Sequence, residues 1–324
     1  MKRIGIIIPC CNEEDNIELV LRAVDRYMKP LEYQYGFLFV DDGSTDRTYD
    51  RIADACASRQ DATVIRLSRN FGKEAAIAVG LSHCSADAAI IMDCDLQHPP
   101  YLLPAMVSEW ECGSLVVDGV KSARQKENFL TRIMSLGFYK IMKTLTGYDF
   151  DGASDYKLLD RAAIQILNTI SEKNRFFRGL TNWIGLKHSR IEYKVERRLT
   201  GRSKWNWFKL TKLSIDAIAS FSSKPLQIVS ILGGFTFVFS LVLAVQTLYN
   251  RFFGSAVSGF TTVILVLLFL SSVIMMSIGI LGIYLSKVYD EIKSRPLYVI
   301  QAERSRTGEQ STRSGRMVEN YGSE

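Results

Sequence analysis

The sequence predicts an α/β domain built on a mostly parallel sheet, followed by two membrane-spanning helices. Two observations predict it. Over roughly the first 120 residues, short β-branched runs alternate with stretches of helical length, the pattern of βαβ units whose sheet is covered on both faces. Further on, 26 residues between Lys224 and Arg251, and 35 between Arg251 and Lys287, contain no Asp, Glu, Lys or Arg. About 20 apolar residues cross a bilayer core as a helix, so both stretches are long enough and a wholly soluble chain is excluded. The average hides this, because the 324 residues are only 47% hydrophobic, 23% charged and of net charge +6.

The strand runs fall at 4–9, 37–41, 63–67, 88–92 and 115–118, with helices expected over 16–28, 46–57, 73–82 and 100–111. From about 128 to 170 the pattern is mainly helical, broken by Gly147 and by Asp149-Phe150-Asp151-Gly152. The stretch 187–204 reads as basic and irregular. Residues 205–221, opening Trp205-Asn206-Trp207-Phe208-Lys209-Leu210, space tryptophan, lysine and leucine near the helical repeat, as an interfacial amphipathic helix does. A buried core helix is the alternative there. The tail 303–324, rich in Ser, Arg, Gly and Glu, reads as disordered. The expected division is therefore a domain at 1–204, an amphipathic helix at 205–224, spans at 225–250 and 259–286, and a tail at 287–324.

Charge gives orientation. Lys204, Lys209, Lys212 and Lys224 precede the first span, Lys287, Lys293 and Arg295 follow the second, and only Arg251 lies between. Positive residues stay inside, so a multi-pass protein of the inner (plasma) membrane with both termini cytoplasmic is expected. The apolar run after Met1-Lys2-Arg3 is too short for a signal peptide and meets Asn12-Glu13-Glu14-Asp15 at once. Cys10, Cys11, Cys56, Cys84, Cys94 and Cys112 form no C-x-x-C pair, which favours free thiols in a reducing compartment over a disulfide frame or a zinc site. No aromatic-basic groove or recognition motif accompanies the positive charge, so nucleic acid is not an expected partner.

Other chemistries are excluded by what is missing. No glycine stands between Ile6 and Asn16, so the first strand-to-helix turn lacks the dinucleotide fingerprint. Gly72-Lys73 lacks the upstream glycine of a P-loop, and His83, His98 and His188 are too scattered for a histidine metal site. What remains are three polar clusters after strand ends: Asn12-Glu13-Glu14-Asp15, Asp41-Asp42-Gly43-Ser44 and Asp93-Cys94-Asp95-Leu96-Gln97. Any one of them is explained by turns and helix caps. Three at one sheet edge crowd carboxylates that repel unless a cation or ligand donors share the site. Asp93 and Asp95 point the same way in an extended segment, and Gln97 adds a neutral oxygen. That set suits Mg²⁺ or Mn²⁺, hard ions that keep positions open for phosphate oxygens.

These clusters, with Ile8-Pro9, Ser68-Arg69-Asn70-Phe71-Gly72-Lys73-Glu74 and His98-Pro99-Pro100, resemble the family 2 glycosyltransferases with a GT-A fold. Within that family the chain is similar to the polyprenyl-phosphate group, which includes bactoprenol glucosyl transferases and dolichol-phosphate mannose synthase. The likeness continues through 154–161, Arg175-Phe176-Phe177-Arg178-Gly179, Gly201-Arg202-Ser203-Lys204-Trp205 and both spans. Tyr156-Lys157 stand where the family shows Phe-Arg, and Cys10 or Cys11 where it shows Tyr or Phe, departures expected to bear on how the base stacks.

The resemblance implies roles for individual residues. Pro9, Asn12, Glu13 and Asp42 would hold the base and ribose of a nucleotide sugar, with UDP-glucose the leading donor by family frequency. Asp93, Asp95 and Gln97 would hold metal and diphosphate, and Lys121 and Arg124 are candidate phosphate contacts, a solvated helix cap being the equal alternative. Arg202, Ser203 and Lys204, with Arg178, would meet the lipid phosphate of the polyprenyl (undecaprenyl) acceptor. Asp155 matches the family's proposed base. The acceptor's second pKa is about 6, however, so it needs little help losing a proton at pH 7 and Asp155 reads better as a positioning residue. A single displacement would invert the anomeric centre. Homo-oligomerisation is implied by resemblance alone. The rival readings are a processive GT-A polysaccharide synthase and an inactive membrane scaffold. The first lacks its Q-x-x-R-W and its extra spans here, and the second is opposed by intact Asp93, Asp95 and Gln97.

Overall fold

The computed structural model describes residues 2–121, 154–173, 175–193, 224–253 and 259–305. They fall into two compact units, one holding the sheet and the other the two long apolar helices.

In the first unit, β1 (Arg3–Cys10), β2 (Gln34–Asp41), β3 (Ala62–Leu67) and β4 (Ala88–Ile91) alternate with α1 (Ile17–Met28), α2 (Thr48–Ser58) and α3 (Lys73–His83). A 3₁₀ turn (Pro100–Leu102) and α4 (Leu103–Glu111) lead to β5 (Val116–Lys121). Each element follows from its apolar spacing. Ile17, Val20, Leu21, Val24 and Met28 recur at helical intervals and are the buried face of α1. Ile4, Ile6, Ile7 and Ile8 of β1 are covered on both sides of the sheet, as a central parallel strand requires. α3 lies so close to β1 that a Cβ on Gly80 would stand 2.3 Å from Ile7 Cγ2.

The eight strands run β7-β5-β6-β4-β1-β2-β3-β8. β1, β2, β3 and β4 are parallel to their neighbours in that set. The chain moves outward from β1 to β3 and then returns to place β4 on the other side of β1. A topological switch point therefore opens between the carboxyl ends of β1 and β4, which is where open α/β sheets bind ligands.

The other half of the sheet departs from the expectations. Within the stretch read as mainly helical, Lys157–Asp160 forms β6, antiparallel to β4 and β5, and helix resumes only at α5 (Arg161–Thr169). Four residues are too few to show a period. A short helix, α6 (Phe177–Trp183), follows. The stretch read as irregular contains β7 (His188–Tyr193), parallel to β5; its residues are mostly half-exposed, so little apolar alternation marks it. The tail read as disordered from Glu303 begins as a strand instead: β8 (Ile300–Ser305) is antiparallel to β3 and closes that edge. Such pairing uses backbone groups and needs no apolar side chains, which is why a polar sequence concealed it.

In the second unit, α7 (Lys224–Phe253) and α8 (Phe260–Ile292) are each long and apolar enough to cross a membrane. They touch through an edge-on contact of Phe239 and Phe269. α8 continues past the expected boundary at 286, carrying Lys287, Asp290 and Glu291. The expected amphipathic helix at 205–221, and Arg124, Arg202, Ser203 and Lys204, lie outside the described residues.

Candidate active site

The three acidic clusters meet at the switch point. β1 ends in Pro9-Cys10, opposite Asp41 at the end of β2, and Asp93-Cys94-Asp95 follows β4 on the other side. Together they line a cavity of about 410 Å³ whose walls include Pro9, Cys11, Glu13, Asp42, Asn70, Lys73, Asp93 and Asp95.

Two loops are stitched to form its floor. Asn12 takes the left-handed conformation (φ 57°), its N–H donates to Ser44 Oγ (2.9 Å) and its Oδ1 accepts the Thr45 N–H (2.9 Å). The Glu13 N–H donates to Thr48 Oγ1 (2.8 Å). Asp42, 3% exposed, accepts the N–H groups of Phe71 (2.7 Å) and Gly72 (2.9 Å), which fixes the loop that carries Asn70. Between these contacts Gly43 sits at φ +62°, where an added Cβ would lie 2.3 Å from the Arg69 carbonyl carbon. Gly43→Ala is therefore expected to cost about 1–3 kcal/mol, read as a lower unfolding midpoint of the purified protein. An unchanged midpoint would show that the loop yields freely.

α3 begins at Lys73, directly after this loop. The Lys73 ammonium lies 2.6 Å from Asp93 Oδ1 and 2.7 Å from Asp155 Oδ2. Arg178 grips the same Asp155 with two hydrogen bonds, Nε to Oδ1 (2.7 Å) and Nη2 to Oδ2 (2.9 Å). Asp155 is 4% exposed; burial alone would raise its pKa, but Lys73 and Arg178 hold it far below the usual carboxylate range. Glu74 accepts the Phe177 N–H at the start of α6 (2.8 Å), and burial beside Asp155 pushes its carboxyl up to about 7. The Asp93 N–H donates to His98 Nδ1 (3.0 Å). His98 is buried and stacked on Tyr156 at 4.8 Å, so its geometry is that of a packed core residue.

The cavity thus gathers Pro9, Glu13, Asp42, Asp93 and Asp95 from the expected set, with Asp155 and Arg178 joined to it through Lys73. Asn12 reaches the same turn but spends its side chain on Thr45. Gln97 is not among the lining residues; its N–H donates to Asp95 Oδ1 (3.1 Å). Lys121 ends β5 opposite Tyr193. Tyr156 and Lys157 do not face the cavity, contrary to a role in base stacking: Tyr156 packs on His98, and buried Lys157 pairs with Asp118, which also meets His188. Lys73 and Glu74 received no role from the sequence, although a lysine after the strand-three loop at the acidic edge was the available signal.

The donor chemistry suits a hard divalent cation. Burial and the Asp95 and Asp93 charges push Glu13 upward, the response of a carboxylate crowded by others. Among the described residues no three His, Cys, Asp or Glu side chains enclose an ion. Two carboxylates would leave most positions to water and phosphate oxygens, the usual arrangement for Mg²⁺.

Comparison with known proteins identifies the family. The glycosyl transferase family 2 description matches residues 5–167. An uncharacterised glycosyltransferase of Synechocystis is 34% identical over 299 residues, 92% of this chain and 94% of that one. The SfII prophage-derived bactoprenol glucosyl transferase of Shigella flexneri is 32% identical over 304 residues, 92% of this chain and 97% of its own. Among solved structures, glucosyl-3-phosphoglycerate synthase of Mycobacterium tuberculosis is similar at 20% identity and a TM-score of 0.45, over 67% of this chain and 78% of that one. The expected α/β class, of the GT-A type and followed by two apolar helices, stands, and this chain belongs to glycosyl transferase family 2.

Proposed function

We propose that the protein moves a sugar, glucose by preference, from a nucleotide sugar to a polyprenyl phosphate at the cytoplasmic face of a membrane. The observation that carries this reading is the carboxylate-lined cavity at the switch point, in a chain whose likeness to a bactoprenol glucosyl transferase spans 92% of its length. In this reading Pro9, Glu13 and Asp42, which line the cavity, would hold the nucleoside, and Asp93 and Asp95 would hold Mg²⁺ or Mn²⁺ with the diphosphate. A divalent ion held there supplies electrostatic stabilisation of the charge developing on the leaving diphosphate.

The chain's own residues do the rest. An acceptor phosphate with a second pKa near 6 is already mostly a dianion at pH 7, so it can attack the sugar carbon without a strong base. The contacts of Asp155, whose two oxygens are held by Lys73 and Arg178, favour a positioning role. It orients those two cations beside the cavity. Arg178, with 36% of its side chain exposed, remains within reach of an incoming phosphate. Arg202, Ser203 and Lys204 are the further candidates for the acceptor phosphate.

Two measurements test this reading. Membranes given a panel of labelled nucleotide sugars and undecaprenyl phosphate should place label in the lipid extract, most from UDP-glucose; labelled water-soluble polymer would favour a processive synthase. Reporter fusions after Ser255 and Gln310 should read extracytoplasmic and cytoplasmic respectively. The opposite pattern would overturn the orientation and, with it, the cytoplasmic site.

A further inference from the structure

We propose that Lys73 is an internal counter-cation of the donor site, which makes divalent-ion binding conditional on the nucleotide. The inference rests on the assignment of Asp93 and Asp95 to the metal made above.

Geometry carries it. The root of the Lys73 side chain is fixed, because Asp42 clamps Phe71 and Gly72 immediately before it. Its ammonium bridges Asp93 Oδ1 at 2.6 Å and Asp155 Oδ2 at 2.7 Å, an ion pair with the first and a charge-assisted hydrogen bond to the second. The ammonium thus neutralises Asp93. A divalent ion on the same carboxylate would meet both a competitor for Oδ1 and a like charge a few ångströms away.

The two partners of Lys73 are not equivalent. Asp155 is also held by both donors of Arg178 and so stays anchored whichever way the lysine turns. Asp93 belongs to the cavity wall. A nucleoside diphosphate entering the cavity offers the ammonium new oxygens and adds the negative charge that a metal requires. Lys73 then leaves Asp93 for the diphosphate while keeping Asp155, and Asp93 becomes available to the ion. Metal and nucleotide binding are thereby coupled, and the coupling is reciprocal. The residue acts as a positioning group on the donor side, and the device keeps the site from holding a tightly bound ion before the donor arrives.

The test is Mn²⁺ binding to the full-length enzyme in detergent, followed by the EPR signal of free Mn²⁺, with and without UDP. Wild type should bind Mn²⁺ weakly alone and at least about tenfold more tightly with UDP. Lys73→Met keeps the stem and removes the charge; it should bind Mn²⁺ about tenfold more tightly than wild type without UDP, and gain less than wild type does from adding it. Lys73→Arg should behave as wild type. Lys73→Gln serves in place of Lys73→Met if thermal unfolding shows the latter to be misfolded. Wild type that binds Mn²⁺ equally well with and without UDP would overturn the proposal by itself, leaving the metal assignment standing. Neutral variants with unchanged or weaker UDP-free affinity would overturn it too. An absence of Mn²⁺ binding in every arm would remove both the proposal and the metal assignment.

Discussion

Asp155→Asn is expected to lower turnover by about a hundredfold or more, the usual cost of removing one fixed charge from a preorganised site. The loss should be nearly the same at every pH from about 5.5 to 9. The reason lies in what Asp155 touches. Lys73 takes one of its oxygens and Arg178 takes both, and together they keep it ionised well below the ordinary range. A carboxylate so held has little proton affinity to offer the acceptor. Were it a base all the same, the variant would recover as the lipid phosphate became a dianion unaided above about pH 6. A variant-to-wild-type ratio climbing about tenfold across that range would restore the general base. Stability should follow the same charges. Asp155 has a depressed folded pKa, so its contribution is present above the unfolded carboxylate value and is lost as pH falls toward the folded one. The variant should therefore unfold more easily than wild type at neutral pH, and the two should converge in acid.

The second large effect is expected at Asp95. Asp95→Asn should reduce turnover roughly a thousandfold while the circular dichroism spectrum and unfolding midpoint stay near wild type. The change removes a charge from the cavity wall but almost no volume, and the asparagine Oδ1 can still accept the Gln97 N–H that Asp95 accepts now. Asp93→Asn is a less clean probe, because it also frees Lys73 from its partner. Excess Mn²⁺ should rescue part of the Asp95→Asn loss if the defect is in cation affinity. Activity near wild type in Mg²⁺ or Mn²⁺ would contradict the assignment of Asp95 to the metal.

Much of this was legible before any coordinates. The runs ending at Pro9, Asp41 and Met92 are short, nearly continuous and apolar, the mark of parallel strands buried on both faces. Once β1, β2 and β4 are adjacent, their acidic ends must meet, so the cavity walls at Glu13, Asp42, Asp93 and Asp95 were readable as a group. What escaped was set by long-range pairing. Lys157–Asp160 is a strand only because β4 and β5 flank it, and Ile300–Ser305 only because the β3 edge receives it. The same holds within the site. Lys73 and Asp155 are 82 positions apart, and no local pattern joins them. The packing of Tyr156 is hidden for a related reason: nothing in its neighbours indicates that it turns inward onto His98.

The central claim is that the acceptor is a lipid phosphate. Its most direct test is transfer by the purified full-length enzyme, with labelled UDP-glucose and a divalent ion, in the presence and absence of undecaprenyl phosphate. The account predicts label in the organic phase only when the lipid phosphate is present, in proportion to the amount added. Undecaprenol without its phosphate should give none. Equal labelling with the phosphate omitted, or label confined to free glucose or a water-soluble polymer, would contradict it.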